Sequence, residues 1–277
     1  MDQGIDLNIY GKTDLIIVCV DDPKNILREA AISNGIACIT ITELSEDIAP
    51  TLFFSIHKMP SAPIVLASHW QAGIMTLVIK QLSTRFTEIV GVETAAVYDD
   101  LDPIGPLVES QVGSFVGRAL IRIQGNWQWL DAKNNARALR MHNGEAAEGH
   151  PMSTYDVPAI GALTGAPDIR FDFVTGRSIG THKGLAASHD LYIDMEGKLL
   201  SGEVKKLRVI ISDPKGSAHL TSIGVFLIAE EILGSTSRKG SEKIGLQLPE
   251  TLIQTEDIIE RLKGFDVQII EDAGLGQ

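Results

Sequence analysis

Between Asp14 and Thr42 the chain reads DLIIVCVDDPKNILREAAISNGIACITIT, and no other stretch limits the possible folds as tightly. The apolar run Leu15 to Val20 has the length and continuity of a buried strand, and Asp21 and Asp22 turn it. Asp22 suits a helix N-cap and Pro23 a first helical position, where the missing proline N–H would be unpaired anyway. Ile26, Leu27, Ala30 and Ala31 then recur at helical spacing, and Gly35 is a C-terminal stop. A second apolar run, Ala37 to Ile41, closes the unit. Strand, helix and buried strand in this order predict a βαβ unit with parallel strands. Open sheets of this kind bind ligands at the carboxyl ends of their strands, here the turn Val20, Asp21, Asp22.

The pattern continues. Ser45 with Glu46 and Asp47 opens a helical segment that reaches about Met59. Pro63 to Ser68 reads as a third buried strand, ending in His69-Trp70-Gln71-Ala72-Gly73, and an apolar helix runs from Ile74 to about Phe86. Beyond Glu88 the character changes. EIVGVETAAVYD reads as a longer strand and GPLVESQVGSFVGRAL as a helix; Gly125 to Pro151 is of mixed polarity. Asp168 to Val174 alternates strictly, which predicts a half-exposed antiparallel strand. Leu191 to Met195, followed by a Glu196-Gly197 turn, and Val204 to Ser212 are further strands. Ser217 to Leu233 predicts a helix that is apolar nearly all round, hence buried, with Gly234 ending it. A last helix, capped by Thr255 and stopped by Gly264, precedes a strand from Asp266 to Ile270. The expected fold is α/β: a partial Rossmann layer of parallel strands over residues 1–90, then an α+β domain with a mainly antiparallel sheet over 91–277.

Composition narrows the partners. With 44% hydrophobic and 22% charged residues the 277-residue chain is an ordinary globular sequence, and its net charge of −12 argues against nucleic acid or an anionic membrane surface. Cys19 and Cys38 fall within strands and read as reduced core thiols. With no signal peptide and no apolar run of membrane-spanning length, a cytoplasmic location is expected. The histidines lack H-x-x-x-H spacing and the cysteines C-x-x-C spacing, so no metal site is expected, and there is no G-x-S-x-G hydrolase elbow.

DLIIVCVDDPKN, PIVLASHWQAG, DPKGSAHLTSIGVFLIAEEILG and GLQLPETLIQTEDIIERLKGFDV together resemble successive parts of saccharopine-dehydrogenase-like oxidoreductases. Gly245, Pro249 and Glu250, with a helix and strand after them, are the most specific match. The resemblance implies a Rossmann domain carrying NAD or NADP, joined to an α+β domain that binds substrate and forms a homodimer. It implies hydride transfer at a carbon–nitrogen bond between an amino acid and a carbonyl partner. DLIIVCV would be the fourth Rossmann strand, ACITIT the fifth and PIVLAS the sixth, so the first three strands and their glycine loop would precede Met1. No G-x-G-x-x-G follows a strand anywhere in the sequence. Tight NAD(P) binding is therefore not expected of this chain, and one edge of DLIIVCV is expected to lack a neighbour. Ala72-Gly73 also departs from the Pro-Gly frequent in relatives.

Candidate cofactor contacts are Val20, Asp21, Asp22, His69 and Trp70. Asp22 reads equally as a helix cap and His69 as a packed core histidine. Arg170, Arg177, His182 and Lys183 are candidates for a substrate carboxylate, or simply exposed basic residues. Lys205, Lys206 and Arg208 read as a solvent-facing stripe, and Thr221 and Ser222 as packing or capping residues. Asp168–Val174 and Val204–Ser212 are the candidate dimer strands. Two functional readings stand: an NAD(P)-linked oxidoreductase, or a non-catalytic dimeric protein that binds a small molecule or regulates.

Overall fold

A computed structural model describes residues 5, 9, 11–42, 48–105, 109, 117–235 and 238–272. The first sheet is built from β1 (Leu15–Val18), β2 (Ala37–Thr40) and β3 (Pro63–Leu66), linked by α1 (Ile26–Asn34) and α2 (Ile48–His57). After β3, a single tight turn over Trp70–Gly73 leads into α3 (Ile74–Ser83). The chain then enters the second sheet with β4 (Phe86–Tyr98), β5 (Arg118–Ile123), β6 (Asn126–Asp131), β7 (Arg137–Arg140) and β8 (Ala146–Pro151). There follow α4 (Asp156–Thr164), β9 (Asp168–Thr175), α5 (Ile179–His182), β10 (His189–Leu199), β11 (Val204–Asp213) and α6 (Ser217–Leu233). A small hairpin, β12 (Gly234–Ser235) and β13 (Arg238–Lys239), precedes β14 (Gly245–Gln247), α7 (Pro249–Leu252), α8 (Ile258–Lys263) and β15 (Gln268–Asp272).

The first sheet has the order β1-β2-β3-β14, parallel throughout. The βαβ reading of residues 14–41 is what the structure shows, with one shift. α1 starts at Ile26, not at Pro23, and Asp22 caps it from a distance: its two carboxylate oxygens accept the Ile26 and Leu27 N–H groups, each at 2.9 Å. Among the described residues β1 pairs only with β2, so its other edge is open, and Ile17 is 42% exposed. Cys19 lies just past β1 and is exposed; Cys38 is buried, and both are free thiols. Because β14 returns to pair with β3, a single cut at residue 90 does not separate the two sheets.

The second sheet runs β15-β11-β10-β4-β9-β5-β6, with the β7–β8 hairpin attached to β9. Two expectations change here. β9 is parallel to β4 and lies in the sheet interior with Ile169, Phe171, Asp172 and Val174 buried, so its alternation does not mark a solvent face. β10 passes straight through Glu196-Gly197, where the register against β4 shifts. A Cβ on Gly197 would lie 2.1 Å from the Glu88 carbonyl oxygen, so this glycine serves a close strand approach and not a turn. The true turn follows Leu199, whose N–H donates to Glu203 O at 2.8 Å. The hairpin β5–β6 was not legible in the sequence. The helix expected in GPLVESQVGSFVGRAL and the start expected at Ser45 fall mostly outside the described residues, but the last three residues of the former, Arg118 to Leu120, are the start of β5 and not helix. In the tail, α8 begins at Ile258, and Thr255 contributes its carbonyl oxygen instead of a side-chain cap.

α3 holds the two sheets together. Ile74, Met75, Leu77, Val78, Ile79 and Leu82 are all buried, in one core cluster with Ile39 and Val65 of the first sheet and Val92, Leu191 and Val209 of the second. Six such side chains contribute on the order of 10 kcal/mol of transfer free energy. α6 has the predicted bounds but one buried face, since Phe226 is 50% exposed and meets Phe265 edge-on at 5.8 Å. Its Gly224 has no room for a side chain: a Cβ there would come within 2.7 Å of the Gln71 carbonyl oxygen and 2.8 Å of the Ala72 Cβ. Gly224→Ala is expected to lower stability by about 1–3 kcal/mol, the usual cost of overpacking a core. Denaturant unfolding read by tryptophan fluorescence measures it, and an unchanged midpoint would count against this contact.

Candidate active site

The loop leaving β3 decides what the site is made of. His69 is extended (φ −65°, ψ 162°), but Gln71 (φ 54°, ψ 47°), Ala72 (φ 50°, ψ 35°) and Gly73 (φ 92°) follow in left-handed succession. Left-handed backbone costs a non-glycine residue about 1–2 kcal/mol, and two such residues in a row persist only where surrounding packing enforces them. The turn sends neighbouring side chains to two different clusters.

Trp70 and Gln71 reach His189 at the start of β10. The Trp70 indole N–H donates to His189 Nε2 at 3.0 Å, and the Gln71 amide nitrogen lies 2.8 Å from the same atom. The two rings are nearly parallel, 19° apart in tilt. With Nε2 accepting, the proton of the neutral imidazole sits on Nδ1, which lies 3.5 Å from Asp102 Oδ2. Asp102 also accepts the Ser217 N–H at 2.9 Å in the first turn of α6. The Thr221 hydroxyl donates to the Gln71 side-chain oxygen Oε1, and the Gln71 side-chain nitrogen reaches Ser217 Oγ at 3.3 Å. His189, Asp102 and Gln71 are buried, whereas Trp70, Ser217 and Thr221 are half-buried and form the open side. An imidazole with a carboxylate behind one ring nitrogen has the geometry of a group that passes a proton to or from a ligand.

His69 points the other way, between α4 and α7. Its Nε2 lies 3.7 Å from Glu250 Oε2, and the Tyr155 ring meets it edge-on at 5.6 Å. Neither His69 ring nitrogen, nor Glu250 Oε2, nor Asp156 Oδ1 has a hydrogen-bond partner among the described residues. The other Asp156 oxygen accepts the Trp70 N–H at 2.8 Å, so the second cluster holds the same loop. Burial dominates the titration of all three groups. It lowers His69 to about 3, raises Asp156 to about 6 against the Trp70 N–H bond, and raises Glu250 to about 7. The Asp156 charge adds to the rise at Glu250, while Glu250's own N–H and Lys80 oppose it. His69 is thus held neutral and is no proton donor at neutral pH.

The remaining expected site residues lie elsewhere. Val20 and Asp21 are exposed beyond the end of β1, one strand removed from β3 and so about 10 Å across the sheet. Asp22 is engaged in capping α1. Arg170 bonds Asp172 and the Asn135 carbonyl, while Arg177 pairs with Asp99 and Asp100, so the two arginines share no partner. Burial pushes the Asp99 carboxyl up, but the Ser178 N–H, the Thr181 hydroxyl and further donors bring it below the usual range. His182 and Lys183 are exposed, with His182 against the His142 ring at 5.5 Å. Lys206 and Arg208 are not a free basic stripe: Lys206 pairs with Glu93, and Arg208 is buried against Asp194 at 2.6 Å. Glu93, Asp194 and Arg208 line a small depression in the second sheet, where Arg137 likewise pairs with Glu93 and Asp172. Among the described residues no group of histidine, cysteine and carboxylate side chains is placed to hold a metal. Sequence reasoning missed His189, Asp102, Asp156 and Ser217, which meet only in three dimensions, whereas Glu250 was visible in the Gly-x-x-x-Pro-Glu pattern.

At two helix starts, donors that a dinucleotide's phosphates would use are already engaged. N-terminal N–H groups are natural phosphate donors; in α1 those of Ile26 and Leu27 bind Asp22, and in α6 that of Ser217 binds Asp102.

No protein-family model and no curated protein matches the sequence. Among solved structures, the chain is similar to apo saccharopine dehydrogenase (L-Glu forming) from Saccharomyces cerevisiae, with a TM-score of 0.58 and 9% identity over 94% of this chain and 84% of that one. A meso-dapdh mutant from Clostridium tetani (TM-score 0.34, 10% identity, 91% and 80% covered) and a dehydrogenase from Clostridium difficile (0.34, 9%, 91% and 79%) are too distant to argue from. The fold is therefore that of saccharopine dehydrogenase, a dehydrogenase fold of Rossmann type, as the sequence resemblance implied.

Two outcomes follow from this geometry. A carboxyl raised by folding keeps a proton that the unfolded chain has lost, so Glu250 lowers stability as pH rises from its ordinary 4.5 to about 7. Asp156 does the same from 3.8 to about 6, while His69 opposes them, its contribution being lost as pH falls from 6.5 toward 3. Glu250→Gln should remove roughly 3 kcal/mol of that fall between acidic and neutral pH, so unfolding curves of variant and wild type should diverge above pH 5. Parallel curves would refute the raised carboxyl. Calorimetric titration of this chain with NADH should give a dissociation constant weaker than about 100 μM, short of the roughly 8 kcal/mol that micromolar binding represents; low-micromolar binding would contradict the phosphate argument.

Proposed function

We propose that this chain carries the substrate side of an NAD- or NADP-linked oxidoreductase acting on a carbon–nitrogen bond of an amino-acid-type substrate. One observation carries the reading. The carboxyl end of β3, where open α/β sheets bind their ligands, meets a His189–Asp102 pair and the first turn of α6 in one crevice. Interconverting an amine and an imine requires a proton to leave or join nitrogen, and His189 is the group placed to hold it. Asp102 fixes the tautomer, Trp70 offers a flat face that excludes water, and Gln71, Ser217 and Thr221 supply orienting hydrogen bonds. None of these roles runs through the nicotinamide. A cytoplasmic location suits the two free thiols.

The occupied helix ends favour a second reading, in which the same crevice binds a small molecule without catalysis. Titration separates the two. Saccharopine or L-glutamate should change the fluorescence of Trp70 saturably, with Trp70→Phe removing the signal but not the calorimetric heat. His189→Ala should weaken binding at least tenfold, about 1.4 kcal/mol. Absence of any heat or fluorescence change with either ligand would sink the proposal. Binding that depends on Trp70 but not on His189 would favour the non-catalytic reading.

A further inference from the structure

α2 presents its polar side inward and its apolar side outward. Thr51 and Ser55 are buried; the Thr51 hydroxyl accepts from Arg28, and the Ser55 hydroxyl has no partner among the described residues. On the opposite side Leu52 is 36% exposed, Phe53 65% and Ile56 72%, and Met59 just beyond the helix is 75% exposed. Spacings of one, four and seven residues place these four side chains on one stripe. A surface helix normally does the reverse, so the stripe has the pattern of a face that expects a cover.

We propose that this stripe is the interface of a homodimer, formed by two copies of the chain packing α2 against α2 about a two-fold axis. Charge selects the second copy. The molecule carries a net charge of −12, and most of its surface repels a like molecule. Ile48 to Ser61 contains no carboxylate, and the tip of Lys58 is drawn away to Ser33 Oγ at 2.7 Å. Two copies therefore meet here without repulsion across the contact, and an uncharged stripe is complementary to itself. Area agrees. Four large side chains, from 36% to 75% exposed, present about 400 Å² per copy, and with the exposed rim of Ala49, Pro50 and His57 the two-fold contact reaches the roughly 1,000 Å² that a specific interface needs. Of the two strands expected to form the dimer, β9 is covered. β9 lies inside its sheet, and on the far face Arg170, Asp172, Arg137 and Glu93 bond one another beneath the β7–β8 hairpin. The proposal stands apart from the reading of the active site.

Sedimentation equilibrium of the full chain from 1 to 100 μM tests it. The wild type should follow a monomer–dimer equilibrium, and Phe53→Asp should weaken dimerisation at least 100-fold. Because Phe53 is largely exposed, the thermal midpoint of the Phe53→Asp monomer should match that of wild-type monomer. Val204→Asp, at a 71%-exposed position on β11, should leave the dimer intact. A wild type that remains monomeric at 100 μM overturns the proposal, including one that instead co-sediments with phosphatidylcholine vesicles. So does a Phe53→Asp variant that dimerises as before.

Discussion

The left-handed turn at Gln71, Ala72 and Gly73 is the constraint on which the crevice depends. Without it Trp70 and Gln71 would not both reach His189, because an ordinary helix start would point consecutive side chains about 100° apart along α3. The turn is held by contact on two sides: α6 approaches so closely that Gly224 cannot carry a Cβ, and Pro249 lies where a Cβ on Gly73 would fall, 2.7 Å away. α6 follows the second sheet, and Pro249 follows the strand that returns to the first. Both halves of the molecule thus clamp the same few residues. Backbone strain of a few kcal/mol in the turn is small beside the apolar burial of α3 that begins one residue later.

Charge follows from the same packing. On one side of the turn polar groups are satisfied: the Asp102 carboxylate has the Ser217 N–H, and His189 has donors on one nitrogen and a carboxylate on the other. On the other side His69, Glu250 and Asp156 share a space with too few donors, and burial keeps His69 neutral and raises both carboxyls. A buried pair with net charge would need more hydrogen bonds than this space supplies. The chain therefore has one polar cluster suited to chemistry and one suited to holding the loop. Sequence alone weighted them the other way, since His69 is the histidine adjacent to the strand end.

What was legible in the sequence was local. The β1–α1–β2 unit and the bounds of α6 follow from apolar periodicity and from glycine at the helix ends, which act within a few residues. Glu196-Gly197 was misread because a glycine serving strand contact looks the same as a glycine in a turn. β9 was misread because alternation signals two different faces, and here the second face carries Arg170 and Asp172 under a hairpin rather than under water. The hairpin of β5 and β6 escaped because Trp127 and Trp129 satisfy their rings with Arg122 and Arg118 across the strand pair, a pattern visible only once the register is known. Asp102, Asp156 and His189 lie on three separate segments, and no spacing rule connects them.

Among the described residues the first sheet has four strands, and the cover on its two faces is unequal. Toward the second sheet, Ile39 and Val65 join the main core with α3 and α6. Toward α1 and α2 there is a small cluster of Val18, Ala31, Ile32, Cys38 and Ile64, with Phe54 the residue of α2 packed against it. α2 therefore draws little stabilisation from the sheet it covers, since its inward positions are Thr51, Ser55 and the half-buried Phe54. An isolated helix of its length, 10 residues, is marginal in water. The proposed two-fold contact would account for both its apolar outward stripe and its weak inward packing, because a helix stabilised from outside the protomer has little need of an apolar inner face.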